Sequence, residues 1–569
     1  MTAARNISYT YQPLSTPTTI RLLVLAPGSG RDPLQGELQH ADLSFGDIDG
    51  YNLDAAYQLC YQSGITVPPP YEAISYVWGA PIFKASIMTR AGSIALTQNL
   101  ADALLRFRLP DNTRILWADA ICINQADPTE QGHQVRMMDR IYSSAETVLV
   151  WLGPDQALVA QEAFESIRNI FKKRPMSRRK LKKVRDLVNM ITETEWFSRL
   201  WIVQEILLAQ RAFFFWGTEV VPFEYLEAIL VVLAEGNFGW LTHKKTGMFK
   251  EIWHVLDDYR KLRCSDKRDH IYAILGLPYS NSNHLATRFQ NIQPDYRKSW
   301  RQLAFEVACM YIETDNIDTL LSYVNHTDGR EGCVLEELPS WIPDWSAAFD
   351  YMPTLDRYLN MPYKKPIINN DELRLTIFGT LVDSVLYTTR TGLGNYKSPR
   401  YSTHILGFWT YISTTHEQPY NTEQIEEMIS CFLQASPATG GDDRCALDFD
   451  HLMMALLPDW NTTDDGRDMI ASLRPRVRIK ETVKDHSNCI RPIHQSWSWR
   501  KLFQTSQGYI GLGPAAMQCG DIVVRLSGLS QSAIVRTRNQ AYIFVGCAYI
   551  PRLESQKCSY DQLHAYELC

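Results

Sequence analysis

Residues 116–153 read LWADAICINQADPTEQGHQVRMMDRIYSSAETVLVWLG, and the periodicity of this stretch changes twice. ILWADAICI (115–123) is a nearly continuous apolar run, the pattern of a strand covered on both faces. ADPTEQGHQVRMMDRIYSSA (126–145) switches to a helical period. Asp127 suits the N-cap, Pro128 the first helical position and Glu130 the third, while Val135, Met138, Ile141 and Tyr142 form one apolar stripe. TVLVWLG (147–153) returns to a buried strand. Strand, helix and strand in this order predict a right-handed crossover between parallel strands.

The same alternation extends in both directions. Upstream, YEAISYVWG (71–79) reads as a buried strand closed by glycine, and LTQNLADALLRFR (96–108) as a helix with Leu100, Ala103, Leu104 and Phe107 on one face. Downstream, a helix is expected over about 194–209, and RAFFFWG (211–217) reads as a fourth strand. This pattern predicts an α/β unit, a parallel sheet with helices on both faces. Before it, IRLLVLAP (20–27) and LQGELQHADL (34–43) read as two strands around a turn. After it, 221–325 reads as helical. The chain closes on GYIGLGP (508–514), DIVVRLSG (521–528), SAIVRTR (532–538) and AYIFVGCAYI (541–550), short strands suited to a small β-barrel or sandwich. The expected organisation is 1–70, N-terminal strands and loop; 71–220, the α/β domain; 221–346, a helical extension; 347–495, a mixed α/β region; and 496–569, a small β domain.

Of the 569 residues, 45% are hydrophobic and 21% charged, a globular rather than a disordered composition. The net charge of −6 argues against a general nucleic-acid binder. KKRPMSRRKLKKVR (172–185) runs against that average with nine basic residues and no acidic one. It reads as a solvated surface insertion, a nuclear-import signal, or a patch for anionic lipid or phosphate. No aromatic interleaves with it, as a single-strand nucleic-acid platform would need. No apolar stretch follows a basic start, and no aliphatic run nears the ~20 residues that span a bilayer, so neither a signal peptide nor a membrane span is expected. Twelve cysteines are scattered without a CxxC pair or a Cys/His spacing suited to zinc, which fits a reducing compartment, cytoplasmic or nuclear, and offers no metal site.

Taken together, YEAISYVWG, the 116–153 stretch and RLWIVQE (199–205) resemble the three blocks of the HET domain family, the heterokaryon-incompatibility proteins of filamentous fungi. SDKRDHIYAILGL (265–277) and the closing GYIGLGP and GDIVVRLSG segments also resemble the flanking regions of full-length members. TRAG (89–92) departs from the Asn-Gly turn often found there. The resemblance implies self/non-self recognition or cell-death signalling, with the HET domain as effector and the C-terminal part as sensor or regulator. The HET fold is in turn similar to TIR domains, so the resemblance implies a TIR-like, flavodoxin-like sheet. In NAD-cleaving TIR members a helix carries a tryptophan and a glutamate spaced as Trp201 and Glu205 are here. The cysteine after that tryptophan is replaced by Ile202.

That likeness nominates Glu205 as a catalytic carboxylate on a crevice edge. Ligands of open parallel sheets sit beyond the carboxyl ends of the strands. The first strand delivers Ser75, Trp78 and Gly79 there, and the second delivers Asp119, Cys122, Asn124 and Gln125. The free N–H groups of the helix from Asp127 would suit a phosphate, Trp78 could stack on a base or nicotinamide, and Trp201 is expected to brace Glu205. A carboxylate near the ribose would stabilise the oxocarbenium-like charge of NAD cleavage, with Asp119 in a positioning role. NAD would be the substrate, and no cofactor is required.

Each residue also has a structural reading. Glu205 pairs with Arg199 or Arg211 or accepts hydrogen bonds from nearby backbone, Asp119 caps its loop, Cys122 is a small buried hydrophobe, Asn124 and Gln125 shape the turn, and Trp78 belongs to the core. Three functions therefore stand side by side: an NAD-cleaving effector, a non-catalytic scaffold acting by self-association, and a repurposed HET-fold enzyme of secondary metabolism. In the last, Trp341, Trp345, Tyr351 and Tyr358 would line a small-molecule pocket. The expected partners are a second copy of the chain, an allelic or non-allelic protein, or a small-molecule ligand.

Overall fold

The computed structural model describes residues 8–30, 32–43, 69–170, 178–233, 251–277, 284–324, 326, 338–347, 361–389, 408, 500–553 and 559–569. The chain divides into two compact units, Met1–Ser299 and Trp300–Cys569.

The first unit is built on a seven-stranded sheet. It begins with an antiparallel pair, β1 (Thr19–Leu25) and β2 (Gly36–Asp42). β3 (Glu72–Tyr76) follows, then a separate hairpin of β4 (Phe83–Thr89) and β5 (Gly92–Thr97), and then β6 (Arg114–Trp117), β7 (Thr147–Trp151), β8 (Ala212–Trp216) and β9 (Glu219–Pro222). The spatial order is β2-β1-β6-β3-β7-β8-β9. β6, β3, β7 and β8 are parallel, with Ser75 opposite Val150 and Tyr76 opposite Trp151. The first strand of the parallel set therefore lies inside it, flanked by the second and third, which is the flavodoxin-like order. The strands read as short apolar runs rich in aromatic side chains because both faces are covered; all five residues of β7 are buried.

Side-chain alternation assigns the covering layers. Phe107, at the end of the helix Gln98–Phe107, meets Trp151 and Phe215 edge-on at 6.3 and 5.0 Å between centroids. On the opposite face of the sheet, Trp196 lies 5.0 Å from Phe214 and Phe164 lies 6.4 Å from Trp216. The helix Gln98–Phe107 thus covers one face, while Ala160–Ile170 and the turn Glu195–Ser198 cover the other.

Three elements differ from the sequence expectation. The strand over 115–123 stops at Trp117, and Asp119–Cys122 forms one helical turn in which Asp119 Oδ1 accepts from Ala120 N at 2.7 Å. The helix over 126–145 breaks at Met137 into Pro128–Arg136 and Met138–Ser144. The helix over 194–209 is divided into a 3-10 turn, Glu195–Ser198, and a short helix, Ile202–Leu207, with Arg199 extended between them. Tertiary pairing causes that break. Leu200 N donates to Arg263 O at 2.9 Å, and Arg263 N donates to Ser198 O at 2.6 Å.

The second unit starts with helices Trp300–Glu313 and Ile317–Ser322. Its sheet comprises β10 (Ile367–Asn369), β11 (Arg374–Thr388), β12 (Arg500–Thr505), β13 (Ile510–Pro514), β14 (Ile522–Leu526), β15 (Ser532–Arg538), β16 (Ala541–Ala548) and β17 (His564–Leu568). β11 pairs with β14, β14 with β15, β15 with β16, β16 with β17 and β17 with β11. The ring closes, so the terminal β unit is a barrel, and the 15-residue β11 completes it from the region read as mixed. Val523, Ile534, Val545, Phe503 and Met517 fill its core. Trp341 packs on Phe305 and donates to Leu373 O, and Trp345 stacks on Tyr311. Both tryptophans are core side chains at 0% and 5% exposure rather than the lining of an open pocket; Tyr351 and Tyr358 lie outside the described residues.

Candidate functional site

Glu205 is 1% exposed, so the carboxylate does not stand on a crevice edge. Both its oxygens are engaged: Arg199 reaches Oε1 and Oε2 at 3.3 Å each, and Ser75 Oγ donates to Oε2. Ser75 in turn accepts from Trp196 Nε1 at 2.7 Å. The centre therefore runs Trp196, Ser75, Glu205, Arg199. The other proposed partner, Arg211, pairs with Glu146 at 2.9 Å instead. Burial raises the Glu205 carboxyl above its ordinary range, and Arg199 and Ser75 offset this only in part. Burial pulls the Arg199 guanidinium down, but the charges of Glu205 and Asp119 outweigh it and hold the group charged.

Arg199 can make this pair because the chain is extended there. In one continuous helix, residues six apart lie roughly 240° around the axis from each other and cannot meet. The break imposed by Arg263 returns Arg199 to Glu205.

Asp119 forms a second centre nearer the surface. Tyr76 OH donates to Oδ1 at 3.0 Å and Trp78 Nε1 to Oδ2 at 2.7 Å. Burial raises this carboxyl too, opposed first by the charge of Arg199. Trp78 is 40% exposed, an edge residue rather than a core one. Gly79, at φ +71, has open space where a side chain would stand, so the chain beyond β3 is uncovered.

The remaining sequence candidates separate. Cys122 is fully buried and its thiol is pushed up to about 12 by burial, which suits a small core side chain and not a nucleophile. Asn124 accepts from Ala126 N at 3.2 Å, and Gln125 donates to Asp119 O at 3.0 Å; both shape the turn. The helix beginning at Pro128 does not offer free N–H groups for a phosphate at its first turn. Asp127 accepts from Thr129 N and Glu130 N, while Glu130 accepts from Asn124 N and pairs with buried Arg21. Trp201 does not brace Glu205 through its indole. Its Nε1 donates to Asp269 Oδ2 at 3.1 Å, and Tyr296 OH donates to Oδ1 at 2.8 Å. Burial drives Asp269 up to about 7.

Sequence reasoning missed Trp196, Tyr76, Asp269 and Tyr296 as parts of these centres. Tyr76 ends an apolar strand and reads as core, and nothing local marks its hydroxyl as a partner of Asp119, 43 residues away. Tyr296 had no signal, since its partner is 27 residues away. The basic run 172–185 is described only from Arg178, where the helix Arg178–Thr192 buries Val184, Leu187, Val188 and Ile191 and exposes Arg179, Lys182 and Lys183. Among the described residues no group of three metal-ligating side chains converges, and no helix is long and apolar enough to cross a membrane.

Residues 71–205 match the family model described as heterokaryon incompatibility protein (HET). That match spans β3 to Glu205 and so contains both centres. Over a 688-residue alignment covering 96% of each chain, the protein is 24% identical to heterokaryon incompatibility protein 6, OR allele, of Neurospora crassa. No solved structure matches.

Proposed function

We propose that this chain, which carries a HET domain at residues 71–205, acts in self/non-self recognition as a signalling scaffold whose Glu205 centre is a structural anchor. The observation that carries the reading is the state of Glu205: 1% exposed, ion-paired to Arg199 and hydrogen-bonded by Ser75. A carboxylate that stabilises a ribosyl cation must reach the sugar, and here it faces a guanidinium. The role in recognition is carried over from the name of the Neurospora crassa relative, which is similar along nearly the whole chain.

A scaffold signals by changing its association, so mass is the quantity to measure. Light scattering on the full chain over a range of concentrations should show a rise in mass that persists in folded Asp119→Asn. A monomer at every concentration would remove the self-association reading.

NAD cleavage is the second reading, favoured by one feature. Asp119 and half-exposed Trp78 stand together at the carboxyl edge, with the charge of Arg199 near the carboxylate. In that reading Trp78 would stack on the nicotinamide ring, and a displaced Arg199 would free Glu205 for the ribose.

A further inference from the structure

The chain leaves the first unit through an irregular stretch that the domain holds down at closely spaced points. Residues 292–299 carry neither helix nor strand, and Trp300 opens the first helix of the second unit. A connection of this kind is ordinarily a loose linker. Here Arg136 donates to Gln290 O at 3.1 Å. Tyr272 OH donates to Asp295 O at 3.2 Å and accepts from Asp295 N at 3.1 Å. Arg268 donates to Tyr296 O and Lys298 O at 2.5 and 2.6 Å, and its guanidinium lies over the Tyr296 ring at 5.1 Å. Ile292 and Pro294 are buried.

The helix Pro128–Arg136 makes room for this stretch. Gly132 is its fifth residue, a position where glycine weakens a helix relative to alanine. A Cβ there would stand 2.4 Å from Pro294 O, a backbone atom that no side-chain rotation can move aside. The glycine is the seat on which the crossing chain rests.

The seated stretch reaches the Glu205 helix through Asp269. Tyr296 OH and Trp201 Nε1 donate to its two oxygens at 2.8 and 3.1 Å. Trp201 is the N-cap residue of Ile202–Leu207, and its carbonyl accepts from Glu205 N at 3.2 Å. Two side-chain bonds and one backbone bond therefore tie Tyr296 to Glu205.

We propose that residues 290–298 are a control strap. Seated against Gly132, the strap holds Trp201 and locks the Glu205 helix; lifted, it releases that helix. It runs directly into Trp300, so it is the covalent route by which the second unit acts on the Glu205 centre. The inference rests on the reading of Glu205 as a buried anchor and does not require self-association.

Amide hydrogen exchange of the full chain, read by mass spectrometry, reports on both ends of the strap. Gly132→Ala wedges the strap without touching Asp269 or Trp201, and Tyr296→Phe removes one hydroxyl; circular dichroism checks both folds. Each variant should speed exchange over 202–208 about tenfold, the worth of one lost hydrogen bond, while β1 and β2 keep wild-type rates. Gly132→Ala discriminates most sharply, because helix propensity alone predicts slower exchange over 128–136 and no change at 202–208. Trp201→Phe disturbs the other end and should speed exchange over 290–298, since coupling is reciprocal. If Gly132→Ala does not fold, Tyr296→Phe and Trp201→Phe carry the test between them. Wild-type rates at 202–208 in the folded strap variants, or faster exchange confined to 290–298, overturn the proposal. Nicotinamide release and light scattering test the anchor and the self-association separately, so the readings fail independently.

Discussion

Glu205 and Asp119 lie near the same guanidinium, yet the fold holds them at different depths. Glu205 is sealed between Ser75 and Arg199, behind Trp196. Asp119 stands one layer out, with half-exposed Trp78 as its cover. Burial raises both carboxyls, but only the outer one adjoins an uncovered edge. The contrast teaches that a tryptophan–glutamate spacing marks a helix position without fixing its access to solvent. Access depends on the extended turn at Arg199 and on Arg263, which lies 64 residues further along in the bridge.

The contrast breaks most visibly if the inner centre is opened. Glu205→Ala leaves Arg199 without its ion-pair partner and should destabilise the first unit by ~3–5 kcal/mol in urea denaturation, whereas Asp119→Asn should cost far less. Equal losses would mean that the two depths are not energetically distinct.

The next effect concerns pH. Asp269, which receives the Trp201 indole, has its folded-state pKa raised from 3.8 to about 7. A raised folded value means that the stability it contributes is fully present below about pH 4 and is lost as pH rises through about 7. The slope is at most about 1.4 kcal/mol per pH unit for one proton. Glu205 and Asp119 are shifted in the same direction, so Asp269→Asn should flatten, without abolishing, the fall in unfolding free energy between pH 5 and 7.5.

Ser75→Ala removes one partner from both Glu205 and the Trp196 indole and should cost ~1–3 kcal/mol. Trp78→Ala removes a half-exposed ring at the outer centre and should shift stability by less than about 1 kcal/mol. A larger loss for Trp78→Ala than for Ser75→Ala would invert the assignment of inside and outside.

Much of the fold was legible because the parallel strands are short buried runs. TVLVW and AFFFW have few other uses, and the Asp127–Pro128 helix start is as the sequence suggests. The site was only partly legible. Ser75, Asp119, Arg199 and Glu205 could be named, but their grouping into a sealed pair and an outer carboxylate could not. A local helical period carries Trp196 through Leu208 as one element, and the break comes from a backbone pairing remote in sequence. The barrel was hidden for a similar reason. β11 closes it from the middle of the chain, over 100 residues before β12.

The most direct test is nicotinamide release from NAD by the purified full chain, beside folded Glu205→Gln, over a range of protein concentrations. A buried, paired Glu205 predicts no release from either protein at any concentration. Release by the wild type that disappears in the folded Glu205→Gln variant would contradict the structural assignment and make the carboxylate the chemical centre.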